Sequence, residues 1–326
     1  MRMILLAGVA LLCGVAAVVV LALVEKLGDS VPRVPGAFAG LDPTTRPPTT
    51  PGSTFLLVGT DTRSTVPTTG TGAEATPAGA RSDVLMVARL AGDGRSAAVV
   101  SIPRDSWVDV PGHGMNKINT AYAFGGPSLL IRTVESVTAL RIDHFAVVDF
   151  AGFTSVVDSV GGIDVGISEA TSNDGVAFHQ GVNHLDGTEA LAYVRQRYGL
   201  ADGDLDRAQR QQNALRALLD KVADTGTLDD PVGFYRLLDS AGQFVSVDDT
   251  LSNDGLRSLA QKLRGVPRDE FAFLRAPVAG LGRQGPQSVV YLDTAQAGEL
   301  WSALEHGAVA DYAARHTDDT LGPVTR

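Results

Sequence analysis

The sequence has a single cysteine, Cys13, and this scarcity excludes several kinds of site. No disulfide can form within the chain, and no cysteine-based zinc or iron–sulfur centre can be built. A basic excess is also missing, because the formal net charge is −10, which argues against a general nucleic-acid-binding protein. The phosphate-loop pattern G-x-x-x-x-G-K-[ST] is absent, so nucleotide binding has no support. Any anion site must therefore arise from a local concentration of basic side chains.

One apolar run, residues 3–24, is long enough to cross a membrane. Its 22 residues carry no charge, and a helix of that length spans a hydrocarbon core of about 30 Å. A cleaved signal peptide has an apolar region of about 7 to 15 residues and a small-x-small cleavage site, which is missing here. Arg2 precedes the run, and the positive-inside rule then favours a cytoplasmic N-terminus. The sequence predicts a single-pass protein of the cell membrane, with residues 1–2 cytoplasmic, residues 3–24 an uncleaved transmembrane signal-anchor and the remainder extracytoplasmic.

Beyond this anchor the composition predicts a linker, one domain and a tail. Residues 25–54 contain six prolines and are typical of an extended, partly stiff tether. Residues 55–308 alternate apolar runs with segments of helical periodicity. The strands are predicted at 55–58, 84–90, 97–102, 145–150, 271–275 and 288–292, and the helices at about 127–139, 151–160, 205–223, 253–264 and 294–306. We expect one α/β domain with a mixed central β-sheet sandwiched by helices, followed by a flexible tail at 309–326.

Charged residues recur at the ends of the predicted strands. Those that begin a strand, follow one or lie in the next turn are Asp61, Arg81, Asp83, Arg104, Asp105 and Lys117. Open α/β sheets place ligand sites at strand ends, so these side chains are expected to converge on one region. A turn cap or a surface charge would explain each residue alone; their recurrence favours a site.

The segment 186–197 predicts a short helix followed by an arginine pair. Asp186 and Glu189 have the spacing of a capping box, which predicts a helix start. If the chain is extended at VRQR, Arg195 and Arg197 share one face. Two neighbouring guanidinium groups repel each other unless an anion lies between them, and arginine binds phosphate oxygens bidentately. The alternative is a charged surface segment.

The next predicted helix presents polar residues at its beginning. Asp204, Arg207 and Gln211 lie on a common face near the N-terminus, where free N–H groups and the helix dipole favour an anion. The D-x-D-x-D pattern at 202–206 is not an EF-hand, because the last loop position is Asn213 rather than glutamate. Arginines together with carboxylates fit a divalent cation that neutralises a pyrophosphate group.

Several motifs in order resemble the LytR-CpsA-Psr family of cell-envelope enzymes. They are GTDTRS, RSDVLMVARL, SIPRDSWVDVPG, KINTAYAFGG, VVDFAGFTSVVDSVGGIDV, LDGTEALAYVRQR and GDLDRAQRQQ, spread over residues 54–308. The resemblance implies Mg²⁺, or alternatively Mn²⁺, on Asp61 and Asp83. It implies pyrophosphate binding by Arg81, Arg104, Lys117, Arg195, Arg197, Arg207 and Gln211, and catalytic roles for Arg104, Arg195, Arg197 and Asp204. The stretch between Asp61 and Asp83 departs from the family pattern as an inserted loop.

The resemblance also implies a reaction. Such proteins are phosphotransferases that move a glycopolymer (teichoic acid, capsule or arabinogalactan) from a polyprenyl pyrophosphate carrier to a hydroxyl group of peptidoglycan, forming a phosphodiester. Either Asp204 or Asp105 is a candidate for accepting the hydroxyl proton. Two alternatives stay open: a hydrolase that uses the same site on polyprenyl pyrophosphate, and a non-enzymatic, membrane-tethered module that binds polyprenyl phosphate. The expected partners are the lipid-linked glycan, peptidoglycan and the membrane, with no nucleic acid.

Overall fold

A seven-stranded mixed β-sheet forms the centre of the computed structural model, which describes residues 31–60, 82–200, 204–224, 245–322 and 325. In sheet order the strands are β1 (Arg33–Val34), β12 (Val245–Asp248), β7 (His144–Asp149), β2 (Gly52–Thr60), β3 (Ser82–Ala91), β4 (Ala97–Ser101) and β13 (Phe271–Arg275). Strands β2, β3 and β4 pair antiparallel, whereas β2 with β7 and β4 with β13 are parallel. The expectation of a mixed sheet is confirmed.

Smaller strand pairs and helices surround this sheet. In the described ranges the pairs are β5 (Trp107–Val110) with β6 (Gly114–Lys117), β8 (Ile163–Ile167) with β11 (Gly181–Leu185), β9 (Thr171–Asn173) with β10 (Val176–Phe178), and β14 (Val278–Gln284) with β15 (Gln287–Leu292). The helices there are α1 (Thr120–Thr138), α2 (Phe150–Ser159), α3 (Gly187–Arg195), α4 (Asp204–Asp224), α5 (Asn253–Arg264), α6 (Thr294–His306) and α7 (Val309–Arg315). Short 3₁₀ turns lie at Arg268–Glu270 and Thr317–Asp319.

Helices cover both faces of the sheet because its strands are apolar on both sides. On one face Leu56 and Val58 are buried in a cluster that also contains residues of α1 and α6. On the other face Met86 packs with Leu215 of α4, and Phe55 lies in a cluster against which α5 packs. Strands buried on both faces have nearly continuous apolar sequences. This is why residues 55–58, 84–90, 97–102 and 145–150 stood out as strands.

The predicted tether, residues 25–54, is part of the domain from Val31 onward. Val31 is 8% exposed and Ala37 is fully buried. Val247 N–H donates to the carbonyl of Pro32 at 3.0 Å. Arg46 forms a 2.6 Å ion pair with Glu135 of α1, and both side chains are largely buried. The expectation of a tether is wrong for these residues, because proline content indicates an extended backbone but not whether that backbone finds partners.

The predicted flexible tail, residues 309–326, also packs on the domain. Within it, residues 309–315 form α7, and Tyr312 is fully buried with its hydroxyl donating to Asp319 at 2.6 Å. Leu321 N–H donates to the carbonyl of Phe273 at 2.8 Å, and Thr325 is 2% exposed. The expectation of a tail is therefore wrong for the described part of this segment. A few buried side chains hold it, too few to produce a periodic apolar pattern.

Asp248, at the end of β12, is a buried carboxylate that accepts several hydrogen bonds. Its side chain is fully buried. The two carboxylate oxygens accept hydrogen bonds from the backbone N–H groups of Phe145 at 3.0 Å, Thr250 at 3.0 Å and Leu251 at 3.1 Å. His144 Nδ1 lies 3.2 Å from the same carboxylate. Burial alone would raise the pKa of Asp248, but the hydrogen bonds from His144, the Thr250 hydroxyl and the Phe145 N–H outweigh burial and lower the pKa below its usual value. The carboxylate therefore joins β12, β7 and the turn before α5.

The predicted transmembrane helix, residues 3–24, lies outside the described residues. In the part of the chain that the structure does describe, no helix has the length and apolar character needed to cross a bilayer.

Candidate active site

The ends of β2 and β3 meet in an irregular pair at the centre of the sheet. Gly59 pairs with Val84 and Thr60 with Ser82, so Asp83 is the extra residue of a β-bulge. A Cβ on Gly59 would lie 2.7 Å from the side chain of Val84, which explains why this position has no side chain. The hydroxyl groups of Thr60 and Ser82 are buried and have no hydrogen-bond partner among the described residues. Two buried hydroxyl groups beside Asp83 thus lack a hydrogen-bond partner among the described residues.

Some of the residues predicted to bind the metal ion or the pyrophosphate fall outside the described residues. Asp61 and Arg81 lie outside the described residues, and so do the side chains of Asp83 and Asp204. The backbone positions of two of these residues are described: Asp83 lies in β3, and Asp204 is the first residue of α4. Within the described parts of the chain, no three His, Cys, Asp or Glu side chains are grouped as a metal site.

The segment after β4 carries the next predicted residues. Ile102 N–H donates to Leu85 O at 2.8 Å, which extends β4 along β3 into this segment. Asn119 N–H donates to Arg104 O at 3.2 Å, so the turn after β6 is held against Arg104. Asp105 Oδ1 lies 3.1 Å from Lys117 Nζ, and both side chains are less than one fifth exposed. Lys117, which the sequence placed only in a turn, therefore lies beside the strand end.

A small cavity of about 20 Å³ brings this strand end and α4 together. Its charged and polar lining residues are Arg104 and Asp105 after β4, Arg207 and Gln211 of α4, and Ser101 at the end of β4. The predicted polar residues on the first turns of α4 thus face the predicted residues after β4. Five charged or polar side chains thus share this cavity with apolar residues, and the two arginines among them are the groups suited to an anion. We refer to this cavity as the polar pocket.

Helix α3 positions the arginine pair differently from the prediction. Its capping box is present: Glu189 N–H donates to Asp186 Oδ1 at 2.9 Å, and Asp186 N–H donates to Glu189 Oε2 at 3.1 Å. The helix continues through Arg195, and the chain becomes extended only at Gln196, which has φ −58° and ψ 128°. The expectation that VRQR is extended, with Arg195 and Arg197 on one face, is therefore wrong, because the apolar periodicity of ALAYV continues the helix through Arg195. Gln211 Nε2 donates to Val194 O at 3.4 Å and ties α4 to this helix end.

An apolar groove of about 210 Å³ lies next to the polar pocket, between the sheet and α4. Its walls are Leu57, Val58, Gly59, Val84, Met86, Val148, Phe153, Val156, Val194, Gln211, Leu215, Leu218 and Val245. Val84, Met86 and Gln211 also line the polar pocket, so the two cavities share a wall. An arginine-lined pocket that adjoins an apolar groove suits an amphipathic ligand with an anionic head. A larger cleft of about 890 Å³, between residues 40–48 and α1, contains none of the predicted site residues.

Sequence reasoning missed two buried polar residues behind the arginine pair. Gln196 is 1% exposed and Arg210 is fully buried, and the two are hydrogen-bonded. The signal was present in RAQRQQN, residues 207–213, because seven residues of a helix that packs on a sheet must turn some side chains inward. A polar run of this length predicts buried polar groups with specific partners.

Known proteins are similar to this chain over most of its length. The model of the LytR_cpsA_psr family matches residues 42–306. A probable cell wall biosynthesis protein, LcpB of Corynebacterium glutamicum, is 35% identical over 269 residues, which cover 80% of this chain and 63% of LcpB. A polyisoprenyl-teichoic acid–peptidoglycan teichoic acid transferase, TagU of Halalkalibacterium halodurans, is 36% identical over 217 residues, which cover 66% of each chain. The chain thus spans between about half and two thirds of the length of the curated relatives it matches.

Solved structures share the fold. The crystal structure of Bacillus subtilis TagV aligns with a TM-score of 0.66 and 27% identity, over 79% of this chain and 98% of TagV. A structure of TagT bound to LI-WTA aligns with a TM-score of 0.61 and 26% identity, over 82% of this chain and 92% of TagT. The mixed α/β architecture is therefore common to all three proteins.

Proposed function

The chain belongs to the LytR_cpsA_psr family, and from this premise we propose that it is a phosphotransferase that moves a glycopolymer from polyprenyl pyrophosphate to peptidoglycan. The names of the TagU relatives, polyisoprenyl-teichoic acid–peptidoglycan teichoic acid transferases, support this class of reaction. The observation that carries the proposal is the shared wall between the polar pocket and the apolar groove. A polyprenyl pyrophosphate has both matching parts, a diphosphate and an aliphatic chain.

The arginines that line the polar pocket would bind the diphosphate oxygens and stabilise their charge during the reaction; the cavity itself, about 20 Å³, has room for about one water molecule. A hydroxyl oxygen of peptidoglycan attacks the phosphorus that carries the glycopolymer, and the bond from that phosphorus to the bridging oxygen breaks. Polyprenyl phosphate leaves, a phosphodiester is formed, and the hydroxyl proton passes to a carboxylate, for which Asp204 and Asp105 are candidates. Arg104 and Arg207 would oppose the negative charge that develops on the phosphate oxygens, the largest single contribution in such reactions.

We propose Mg²⁺ as the metal ion, with Mn²⁺ as the alternative, held by Asp61 and Asp83. The buried hydroxyl groups of Thr60 and Ser82 support this assignment, because they are oxygen atoms beside the bulge, and with two carboxylates they would give the all-oxygen ligand set that Mg²⁺ prefers. Such an ion would supply Lewis-acid neutralisation of the diphosphate oxygens. Arg104 and Arg207, together with Arg195 and Arg197 at the end of α3, would provide the remaining positive charge.

We further propose that residues 3–24 anchor the protein in the cell membrane with its domain outside the cytoplasm. The uncharged run of 22 residues supports this proposal. A lipid-linked substrate would then lie in the same membrane as the enzyme.

Introducing a charge into the groove should impair use of a long polyprenyl chain. Val245 lines the groove and is partly exposed, so Val245→Lys should fold while placing an ammonium group against the lipid. We expect the KM for a long-chain donor to rise at least about tenfold, with little change for a donor with a short, soluble lipid. Steady-state kinetics with both donors measure this difference. Val182→Lys, at a position that is 78% exposed and does not line the groove, is the control; equal KM values for both variants would exclude the groove as the lipid site.

The reaction itself is tested by product mass. The full chain in detergent is incubated with a polyprenyl-pyrophosphate glycan, peptidoglycan oligomers and Mg²⁺, and parallel samples lack the metal ion or the acceptor. Glycan joined to peptidoglycan through a phosphodiester supports the proposal. Free phosphorylated glycan identifies a hydrolase instead, and unchanged substrate that co-purifies with the protein identifies a binding module.

A further inference from the structure

The inference concerns the residues behind the arginine segment, which we define as residues 195–197. Helix α3 ends at Arg195, and the next residue, Gln196, turns its side chain inward, where it is 1% exposed. Arg195 is partly buried and Arg197 is exposed. The middle residue of the segment is therefore anchored in the protein, whereas the last projects to the surface.

Three hydrogen bonds fix the Gln196 side chain. Its Oε1 accepts from Arg210 Nη1 at 2.7 Å and from Thr171 Oγ1 at 3.2 Å, and its Nε2 donates to Tyr198 O at 3.1 Å. The side-chain amide of Gln196 thus restrains the backbone at Tyr198, the residue after Arg197, as well as the backbone of Gln196 itself. Both ends of the short stretch that carries Arg197 are restrained by one buried side chain.

Arg210 is the centre of this arrangement. It is fully buried, its Nη2 donates to Thr171 Oγ1 at 3.0 Å, and its guanidinium lies 4.7 Å from the ring centre of Tyr193 in α3. These contacts join α4, the end of α3 and β9. A buried charge is costly, and well-packed apolar residues often replace one without loss of stability. Here its charge is favoured by Asp206 of the same helix, and its hydrogen bonds to Gln196 and Thr171 lead to the arginine segment.

We propose that Arg210, together with Thr171, is a positioning residue that holds Gln196 and thereby pre-orders Arg195 and Arg197 for a diphosphate group. This proposal rests on the proposed function in that the diphosphate is the ligand of the arginine segment. Pre-ordering matters because immobilising a long side chain at the moment of binding costs about 0.5–1.5 kcal/mol, and a backbone that is already fixed reduces such costs.

The experiment measures binding of inorganic pyrophosphate to the full chain in detergent by titration calorimetry at constant ionic strength. Arg210→Met removes the hydrogen bonds but keeps a long, unbranched side chain, and we expect the Kd to rise at least about tenfold. Thr171→Val removes one hydroxyl without changing the shape, so it should fold, and we expect a Kd about threefold higher. Thr171→Ser keeps the hydroxyl and should bind within about twofold of the wild type.

A matched control separates positioning from stability. Arg216 is another arginine of α4, which donates to Asn213 Oδ1 at 2.6 Å and to Gly322 O at 2.9 Å rather than to Gln196 or Thr171. Arg216→Lys should lower thermal stability but leave the Kd unchanged. A purely structural role of Arg210 would lower the number of binding-competent molecules at an unchanged Kd, and calorimetry reports both quantities.

The outcomes distinguish this proposal from the proposed function. If the wild type binds pyrophosphate but transfers no glycan, the transferase proposal fails and the comparison of Kd values still stands. An unchanged Kd in both Arg210→Met and Thr171→Val would overturn the positioning role, even in an active transferase. Absence of pyrophosphate binding by the wild type would also overturn it.

Discussion

Replacing Arg195 and Arg197 together with alanine should lower glycopolymer transfer at least about 10³-fold. Each guanidinium is proposed to face the diphosphate, and the loss of one such electrostatic contact typically costs about 10²–10³ in rate. Arg197 is exposed and Arg195 only partly buried, so the fold should survive both replacements. Transfer under saturating donor, measured beside the thermal unfolding curve, tests both statements.

A matched variant controls for the loss of positive charge. Arg283 is an exposed arginine on β14 that donates to Pro286 O at 3.1 Å, and Arg283→Ala should transfer at the wild-type rate. The single replacement Arg197→Lys keeps the charge but loses the planar fork, and an intermediate rate is expected. Normal transfer by the Arg195/Arg197 double variant would remove the arginine segment from the site.

The second large effect is on stability: Asp248→Asn should lower the free energy of unfolding by about 3 kcal/mol. The carboxylate is fully buried and accepts N–H groups from both sides of β12. An amide has only one acceptor oxygen and brings donors that need partners, so buried polar groups are left unsatisfied. Urea unfolding at pH 7 measures the loss. The neighbouring Asp249 is exposed, and Asp249→Asn should cost well under about 1 kcal/mol.

The same comparison has a defined pH dependence. Because the folded-state pKa of Asp248 is lowered, the ionised carboxylate stabilises the fold above the unfolded-state pKa of about 3.9. This contribution is lost as the pH falls through the lower, folded-state pKa. The difference in unfolding free energy between the wild type and Asp248→Asn should therefore shrink as the pH falls below about 4. A difference that grows as the pH falls below about 4 would contradict the assigned hydrogen bonds.

Helix boundaries were predictable where the cap is local. The expected helix at 253–264 coincides with α5, whose N-cap, Ser252, accepts the N–H of Gly255 at 3.1 Å. The helix at 294–306 coincides with α6, which begins after Asp293 and ends before Gly307 in the left-handed conformation. Caps and glycine ends involve residues a few positions apart, so the pattern is readable in the chain.

Strands without a long apolar run escaped prediction. Strand β12 has the sequence VSVD and β9 has TSN, and both depend on partners distant in the sequence. Strand β12 pairs with β7, about a hundred residues away, and with the short β1. The same reason explains why the sequence predicts a tether over residues 25–54 and a tail over residues 309–326, although residues 31–54 and 309–322 pack on the domain.

The local sequence was sufficient for the apolar strands, the capped helices, the inventory of arginines and carboxylates, and the family. Each of these depends on neighbouring residues or on motifs that are contiguous in the chain. The three-dimensional fold was needed to bring Arg104 and Arg207 around one pocket, to form the apolar groove beside it, and to bury Arg210 against Gln196 and Thr171. Those arrangements join segments that lie far apart along the chain, so no local periodicity records them.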